Sequence, residues 1–509
     1  MAEHLFEKYH VFFGDLHNHC HEVGYGYGSI EDALFNARQQ LDFTTVTAHA
    51  SWHDLDFKDP RLEQIVRYSI DGFSRATAGW DQLIKLCEVW NTPGEFVTFP
   101  SFEWHSSRYG DHVVVYQGAG GEVFEAETLE EIRARLHQYR EKGLPTFMIP
   151  HHIGYLRGLR GYDWASFTEE FTPAVEMISM HGASESDESP FPYLHTMGPL
   201  DSRNTIQAGL QAGNRFGVIG STDHHSAHPG SYGSGRLGVW AQSLTRESLW
   251  EAIRARRVYA LSGDPLSLQF SANQAVMGEA APWAKERTIR YQIETGGAVD
   301  YVDVLYCNRV IDRYSVFQPA EPVLGGTLKL ELELGWGKKN EYVDWDVTLE
   351  VIGGKLLDVT PHFRGPDILS PLSQKPDRPL HSEWNWLGEN KIRVVTQSWG
   401  NPTASTSTTQ GVCIYFAGSA DTKIKAKLND KEEEYSVQEL AGGSRVGFLG
   451  GFVSPAYRFH RVVTEEEYHV ENSIMDEQLD GEPGWYTLRV REKNGQWAWS
   501  TPIWFEGKA

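Results

Sequence analysis

Cysteine is scarce. Four residues, Cys20, Cys87, Cys307 and Cys413, are spread over 509 positions with no C-x-x-C pair. That spacing argues against a disulfide framework and makes a reducing compartment the expectation. Long apolar runs are absent: none approaches the roughly 20 residues that a membrane-crossing helix needs. The first eight residues, Met1 to Lys8, show no basic stretch followed by an apolar one. No signal peptide is read there, so a cytoplasmic protein is expected. Positive charge is also in short supply. With 46 Lys and Arg against 69 Asp and Glu, the formal net charge is −23. Such a balance argues against a general nucleic-acid or anionic-membrane surface, while leaving room for local basic pockets. No internal repeat or low-complexity tract appears.

What is present begins with apolar mass. Apolar residues make up 40%, including 17 Trp and 24 Phe, which is ample for more than one core. The length points to two or three domains. The stretch that organises the rest is Gly14-Asp15-Leu16-His17-Asn18-His19-Cys20-His21, fed by the apolar run Val11-Phe12-Phe13. In an extended chain residues i and i+2 share a side. His17 and His19 are therefore placed to reach one metal ion, and His21 falls on the same face. A polar strand end carrying surface histidines is the alternative.

From residue 11 to about 260 the pattern alternates strand and helix, which implies a mostly parallel sheet or a barrel. Ser29 reads as the cap of a helix that runs to Gln40. Nearly every strand in this half ends in His, Glu or Asp: Thr47-Ala48-His49, Phe102-Glu103, Pro150-His151, Glu176 to His181, and Asp223-His224-His225. In α/β barrels that end is where sites are built. Repetition at the same end raises the weight of metal binding. Beyond Pro265 the texture changes to period-2 alternation, as in Leu328-Lys329-Leu330-Glu331-Leu332. An all-β sandwich or a pair of packed sheets is expected there. The two units, residues 1–264 and 265–509, should meet near Ser262–Leu268. Strands past residue 270 should stay out of the N-terminal sheet. Ser370 to Pro379 and Ala404 to Gln410 read as loops.

As an ordered set, these motifs resemble the PHP superfamily, named for polymerase and histidinol phosphatase, over residues 11–225. The long β extension, ending in Ser500-Thr501-Pro502-Ile503-Trp504, looks like a long branch of that superfamily. The resemblance implies a distorted seven-stranded (β/α) barrel followed by a sandwich-like β domain. It also implies a cleft with two or three divalent transition-metal ions, Mn, Fe or Zn. Carried over by position, His17, His19, Glu103 and Asp223 hold the first metal. Glu103 bridges to a second completed by His151 and His181, and His49 with His225 hold a third. Two departures bear on the third site. Gly24 and Tyr25 stand where the superfamily usually has Asp or His, and Ala48 replaces a usual Asp. His21 is the candidate substitute.

Two metals about 3.5–4 Å apart can hold a hydroxide and clamp a phosphate oxygen. The expected activity is a metal-dependent hydrolase, a phosphoesterase first, with Glu103 and Asp223 at the catalytic centre. Hydrolysis of another ester, a lactone or an amide is the alternative, since similar folds host both. A non-catalytic, metal-stabilised binding protein is the third reading. His112, His152, Arg157, Arg160 and Arg236 are substrate-binding candidates, and arginine there suits an anionic small molecule. His152 also competes with His151 as ligand. A homo-oligomer is an open alternative. Elemental analysis of purified protein reconstituted with Mn, Fe or Zn is expected to find two or three ions per chain. Finding none would remove the metal reading.

Overall fold

The computed structural model describes residues 6–366, 380–404 and 406–508. The loop expected over 370–379 lies outside these residues. The N-terminal half is mixed α/β. Strands β1 (His10–Asp15), β2 (Phe43–Trp52) and β3 (Val97–His105) run parallel as neighbours. Next come β4 (His112–Tyr116) and β5 (Thr146–Pro150), each antiparallel to the strand before it. A separate three-stranded sheet holds β6 (Ala174–Ser179), β7 (Gly182–Ala183) and β8 (Gly217–Gly220), with β6 and β8 parallel. β9 (Arg236–Ala241) pairs antiparallel with β1, and β10 (Val258–Leu261) antiparallel with β9. β5 lies beside β6 and β8 beside β10. Among the described residues, however, no hydrogen-bonded ladder joins the two sheets into a closed ring.

The mostly parallel sheet expected from strand–helix alternation is thus corrected. Only six residues separate β3 from β4, too few for the crossover that parallel neighbours require. The helices follow their sequence signals. The helix Ile30–Arg38 starts at Ser29, whose hydroxyl accepts from the Asp32 N–H while the Asp32 carboxylate accepts from the Ser29 N–H. Its inner face, with Leu34 and Ala37, packs in one core with Val46, Leu83, Phe102 and Trp104. No helix among the described residues is long and apolar enough to cross a membrane.

The boundary at residue 264 also needs correction. β10 pairs antiparallel with Trp497–Ser500, and that strand with Gly484–Glu492, so strands far beyond residue 270 extend the N-terminal sheet. The extension is covered by a second sheet built from Ser267–Ala272, Glu286–Glu294 and His469–Glu477. Tyr259, Leu268, Phe270, Tyr291, Val490 and Ala498 fill the space between them. The final strands therefore extend the N-terminal sheet and share a core with Trp240 of β9 and Tyr259 and Leu261 of β10.

Between these pieces an expected sandwich appears as an insertion. One sheet contains Gly326–Trp336, Lys355–His362 and Gln410–Gly418, and the facing sheet contains Tyr342–Ile352, Lys391–Trp399 and Lys423–Leu428. Leu328, Leu330, Leu332 and Leu334 point into its core, as period 2 requires. The sandwich touches the N-terminal half close to the histidine-bearing loops. Tyr232 N–H donates to Phe363 O at 2.9 Å, Trp384 Nε1 donates to Gln39 O at 3.1 Å, and His381 Nε2 lies 2.7 Å from Asp32 Oδ1.

A chain cut after residue 264 loses the partner of β10 and uncovers Trp240, Tyr259 and Leu261, all now buried. It is expected to lack a cooperative thermal transition and to aggregate through the open edge. A sharp melt of the soluble fragment by circular dichroism would show that residues 1–264 fold alone.

Candidate metal centre

Strand β1 stops at Asp15, and the chain continues extended past His17 and His19 beside the Asp223–His225 segment. His19 N–H donates to His224 O at 2.8 Å, and Asp223 N–H to His17 O at 2.7 Å. Buried Asp15 ties the two motifs together. Its carboxylate accepts from His17 N–H at 3.0 Å, Thr222 N–H at 3.1 Å and Gly230 N–H at 2.9 Å.

These backbone ties aim the rings. His19 Nδ1 donates to Thr47 O at 2.9 Å. A carbonyl can only accept, so His19 Nε2 carries the lone pair. That atom lies 3.0 Å from His17 Nε2 and 3.1 Å from Asp223 Oδ1, while His17 Nε2 lies 3.3 Å from the same oxygen. A lone pair, a second imidazole nitrogen and a carboxylate at this spacing need a shared cation, either a proton or a metal ion. Behind His17, Nδ1 faces Glu176 Oε2 at 3.2 Å, the carboxylate–imidazole arrangement that orients metal ligands. On the other side of Asp223, Oδ2 lies 3.0 Å from His181 Nε2, and Tyr155 Oη holds His181 Nδ1 at 2.8 Å.

Glu103 spans the neighbouring positions. Its Oε1 is 2.6 Å from His151 Nε2 and 3.3 Å from His105 Nδ1; its Oε2 is 3.5 Å from His19 Nε2 and 3.6 Å from His49 Nε2. His19, His49 and His225 form a third convergence, with His225 Nδ1 directed at Asp223 O at 2.8 Å. Every one of these side chains is buried. Several of their polar atoms lack a hydrogen bond, namely His49 Nε2, His105 Nε2, His151 Nδ1, His152 Nδ1 and Glu176 Oε1. Buried orphans of this kind cost free energy unless something binds them.

Charge points the same way. Asp15, Glu103, Asp111, Glu176 and Asp223 are all buried here, and Arg160 is the cation that pairs into the cluster. Burial would raise Asp223 and Glu103, but the imidazoles around them hold both well below the usual carboxylate range. Glu176 goes the other way, raised by burial and then by the charge on Asp223. Burial lowers the histidines, His17 and His49 strongly, His151 and His225 to about 4 and His181 to about 3. Neutral imidazoles beside ionised carboxylates form a set of donors suited to a divalent transition metal. The residues fit.

The expected residues separate clearly. His17, His19, His49, Glu103, His151, His181, Asp223 and His225 come together. His152 joins through Asp111, with Nε2 at 3.4 Å from Oδ2. Arg160, at φ 71°, pairs with Asp111 and lies over the Trp52 ring at 4.4 Å. His21 does not fit its expected place. The strand ends six residues earlier, and His21 is exposed in a turn. Gly24 and Tyr25 instead pack on His49: a Cβ on Gly24 would stand 2.1 Å from His49 Nδ1, and the Tyr25 ring centroid is 3.5 Å from that of His49. His112 turns its Nδ1–H to Gly110 O at 2.9 Å and packs on Trp104 and Tyr162. Arg157 is an exposed loop residue paired with Asp163 at 2.8 Å. Arg236 is buried and braces a loop, donating to Gly230 O at 2.7 Å and to Gln40 Oε1 at 2.7 Å. Substrate contact is thus compatible with Arg160 and His152; Arg236 has no open face. The sequence reading missed His105, Asp111 and the inward carboxyl of Glu176. His105 was legible, since it stands two residues after Glu103 on the same strand face. Asp111 sits in a turn and carried no signal.

A family described as "Protein of unknown function (DUF3604)" matches residues 229–298. An uncharacterized protein of Chlamydia pneumoniae is 32% identical over 129 residues, covering 23% of this chain and 21% of the relative. An uncharacterized protein of Chlamydia muridarum is 33% identical over 132 residues, again 23% of this chain and 21% of the relative. The chain thus matches only about a fifth of the length of these relatives. A solved two-domain protein from Bacteroides vulgatus, described as containing a predicted PHP-like metal-dependent phosphoesterase, aligns over 85% of this chain and 96% of its own. Its identity is 13% and the TM-score 0.35.

A pH dependence follows from the buried groups. Nine buried histidines (His17, His49, His112, His151, His152, His181, His224, His225 and His228) are held below the ordinary value of 6.5. The unfolded chain binds those protons first, so acidification below 6.5 favours unfolding until the folded values, near 4 for His151 and His225, are passed. Five carboxyls raised by burial, Asp15, Asp42, Glu176, Glu185 and Glu492, act in the opposite sense but are fewer. Chelator-treated protein is expected to show a falling Tm from pH 6.5 to 4. A constant or rising Tm over that window would contradict the assignment of neutral buried imidazoles.

Proposed function

We propose that the protein is a metal-dependent hydrolase of the PHP type, acting as a phosphoesterase on an anionic small molecule. The observation that carries this reading is the meeting of His17 Nε2, His19 Nε2 and Asp223 Oδ1 within 3.0–3.3 Å of one another, with the far nitrogen of each ring tethered. His17, His19, Glu103 and Asp223 would hold one divalent ion of Mn, Fe or Zn. His151 and His181, sharing Glu103, would hold a second, and His49 with His225 would contribute to a third. Such ions supply Lewis acidity at the phosphoryl oxygen and make water acidic enough to react near neutral pH.

The chain's own groups do the rest. Arg160 offers a planar guanidinium at the edge of the cluster, suited to two oxygens of a phosphate. The Trp52 ring packs against this guanidinium at 4.4 Å and holds it in place. Asp111 touches His105 at 3.2 Å and His152 at 3.4 Å, a chain of groups able to carry a proton toward a leaving alcohol.

Glu103→Gln and Asp223→Asn keep side-chain size and remove charge. Both are expected to lose bound metal and to lower kcat by more than the roughly 100-fold that follows loss of a group hydrogen-bonded behind a ligand. KM should move little. Arg160→Ala should chiefly raise KM for an anionic substrate. Steady-state kinetics on a panel of phosphoesters, carboxylic esters, lactones and amides, paired with metal analysis, reads all of these. Full activity with unchanged metal in Glu103→Gln would refute the site, whereas cleavage of carboxylic esters or amides alone would keep the site and change the bond.

A further inference from the structure

A second cavity lies on the outer side of β2, between the end of that strand, the helix Glu63–Trp90 and the segment before the helix Leu129–Glu141. It encloses about 1010 Å³, within the size of small-molecule sites. None of its lining residues belongs to the histidine–carboxylate cluster described above. Trp52 forms part of the wall that separates the two.

The lining has three textures. Phe57, Ile70 and Phe73 supply apolar surface, and Phe57 and Ile70 are more than half exposed. Large apolar side chains left open around a concavity mark binding surfaces. Ser51, His53 and Ser69 supply polar groups, and each carries a buried atom without a hydrogen-bond partner: Ser51 Oγ, His53 Nδ1 and Ser69 Oγ. Ser69 is only 5% exposed, so its unmet hydroxyl is not a surface accident. These three polar atoms belong to residues that line one cavity, where a bound molecule would find hydrogen-bond acceptors beside the apolar wall. The third texture is charge. Glu125, Glu127 and Glu131 line one side, and no Lys or Arg lines any side.

We propose that this cavity binds a small primary amine carrying an apolar, aromatic-sized body. A primary ammonium brings three N–H donors to carboxylates, hydroxyls and an imidazole nitrogen, which are all acceptors. The apolar body fills the Phe57–Ile70–Phe73 wall, and aromatic faces there also favour a cation. An anion of the same shape meets three carboxylates and no counter-charge. A neutral alcohol satisfies the hydroxyls without using the field of the glutamates.

Isothermal titration of the full chain with benzylamine, benzyl alcohol and benzoate tests this. Benzylamine is expected to bind saturably, benzyl alcohol at least tenfold more weakly, and benzoate without measurable heat. Ala78 lines the cavity from the exposed face of its helix, so Ala78→Phe should fill the space and raise the benzylamine Kd at least tenfold, with an unchanged circular-dichroism melt. If that variant misfolds, the surface double variant Glu125→Gln with Glu127→Gln carries the test. It should weaken benzylamine and narrow its advantage over benzyl alcohol. No saturable heat with benzylamine, benzoate binding as tightly as benzylamine, or an unaltered Kd in the folded variants would each overturn the proposal.

Discussion

The buried carboxylate of Asp223 is the constraint around which the N-terminal half is arranged. It sits among His17, His19 and His181 at 3.0–3.3 Å, deep enough that water cannot solvate it. An ionised carboxylate in such a place needs opposite charge and hydrogen bonds. The surrounding imidazoles are themselves held neutral by burial, so they supply no net charge, and His19 turns a lone pair toward the carboxylate. A divalent cation resolves this conflict for the whole cluster at once. It would use the lone pairs that Thr47 O and Glu176 have turned inward, and it would offset several carboxylates together.

The remainder of the fold holds that geometry in place. Parallel β1, β2 and β3 deliver His17, His19, His49 and Glu103 to one end, and the antiparallel pairing of β5 with β4 brings His151 across to Glu103. The Asp223 segment is fixed by main-chain bonds to the chain around His17 and by Asp15 beneath. The inserted sandwich adds a clasp from outside. The His362 ring stacks on Tyr232 at 4.2 Å, and Gly365 N–H donates to Ser231 Oγ at 3.0 Å, a few residues beyond His225. The β-rich region thus packs against the loop that follows the ligands and against the helix Ile30–Arg38.

Much of this was legible in the residues. The i, i+2 spacing of His17 and His19 and the acids and imidazoles at strand ends identified the cluster, because strand ends fix both position and direction of a side chain. The alternating leucines at 328–334 identified the sandwich for the same reason. What the sequence hid depends on contacts between distant segments. The return of Trp497–Ser500 to β10 leaves no mark in either stretch, since both read simply as strands. His21 continued the i, i+2 pattern on paper, but the strand had already ended at Asp15. Arg236 resembled an anion contact by its Gly-rich surroundings, yet strand β9 carries it into the interior, where it binds Gly230 O. Asp111 joins the cluster only because the turn after β3 folds back onto His105.

The space between His17 Nε2, His19 Nε2 and Asp223 has the donors and spacing of a cation site. An anomalous difference map from crystals grown with Mn, recorded above and below the metal edge, tests it most directly. A peak is expected within bonding distance of those three side chains, with Glu103 as the next ligand. A map without a peak there, at full occupancy of the surrounding protein, would mean that a proton alone holds these groups together and would contradict the metal centre.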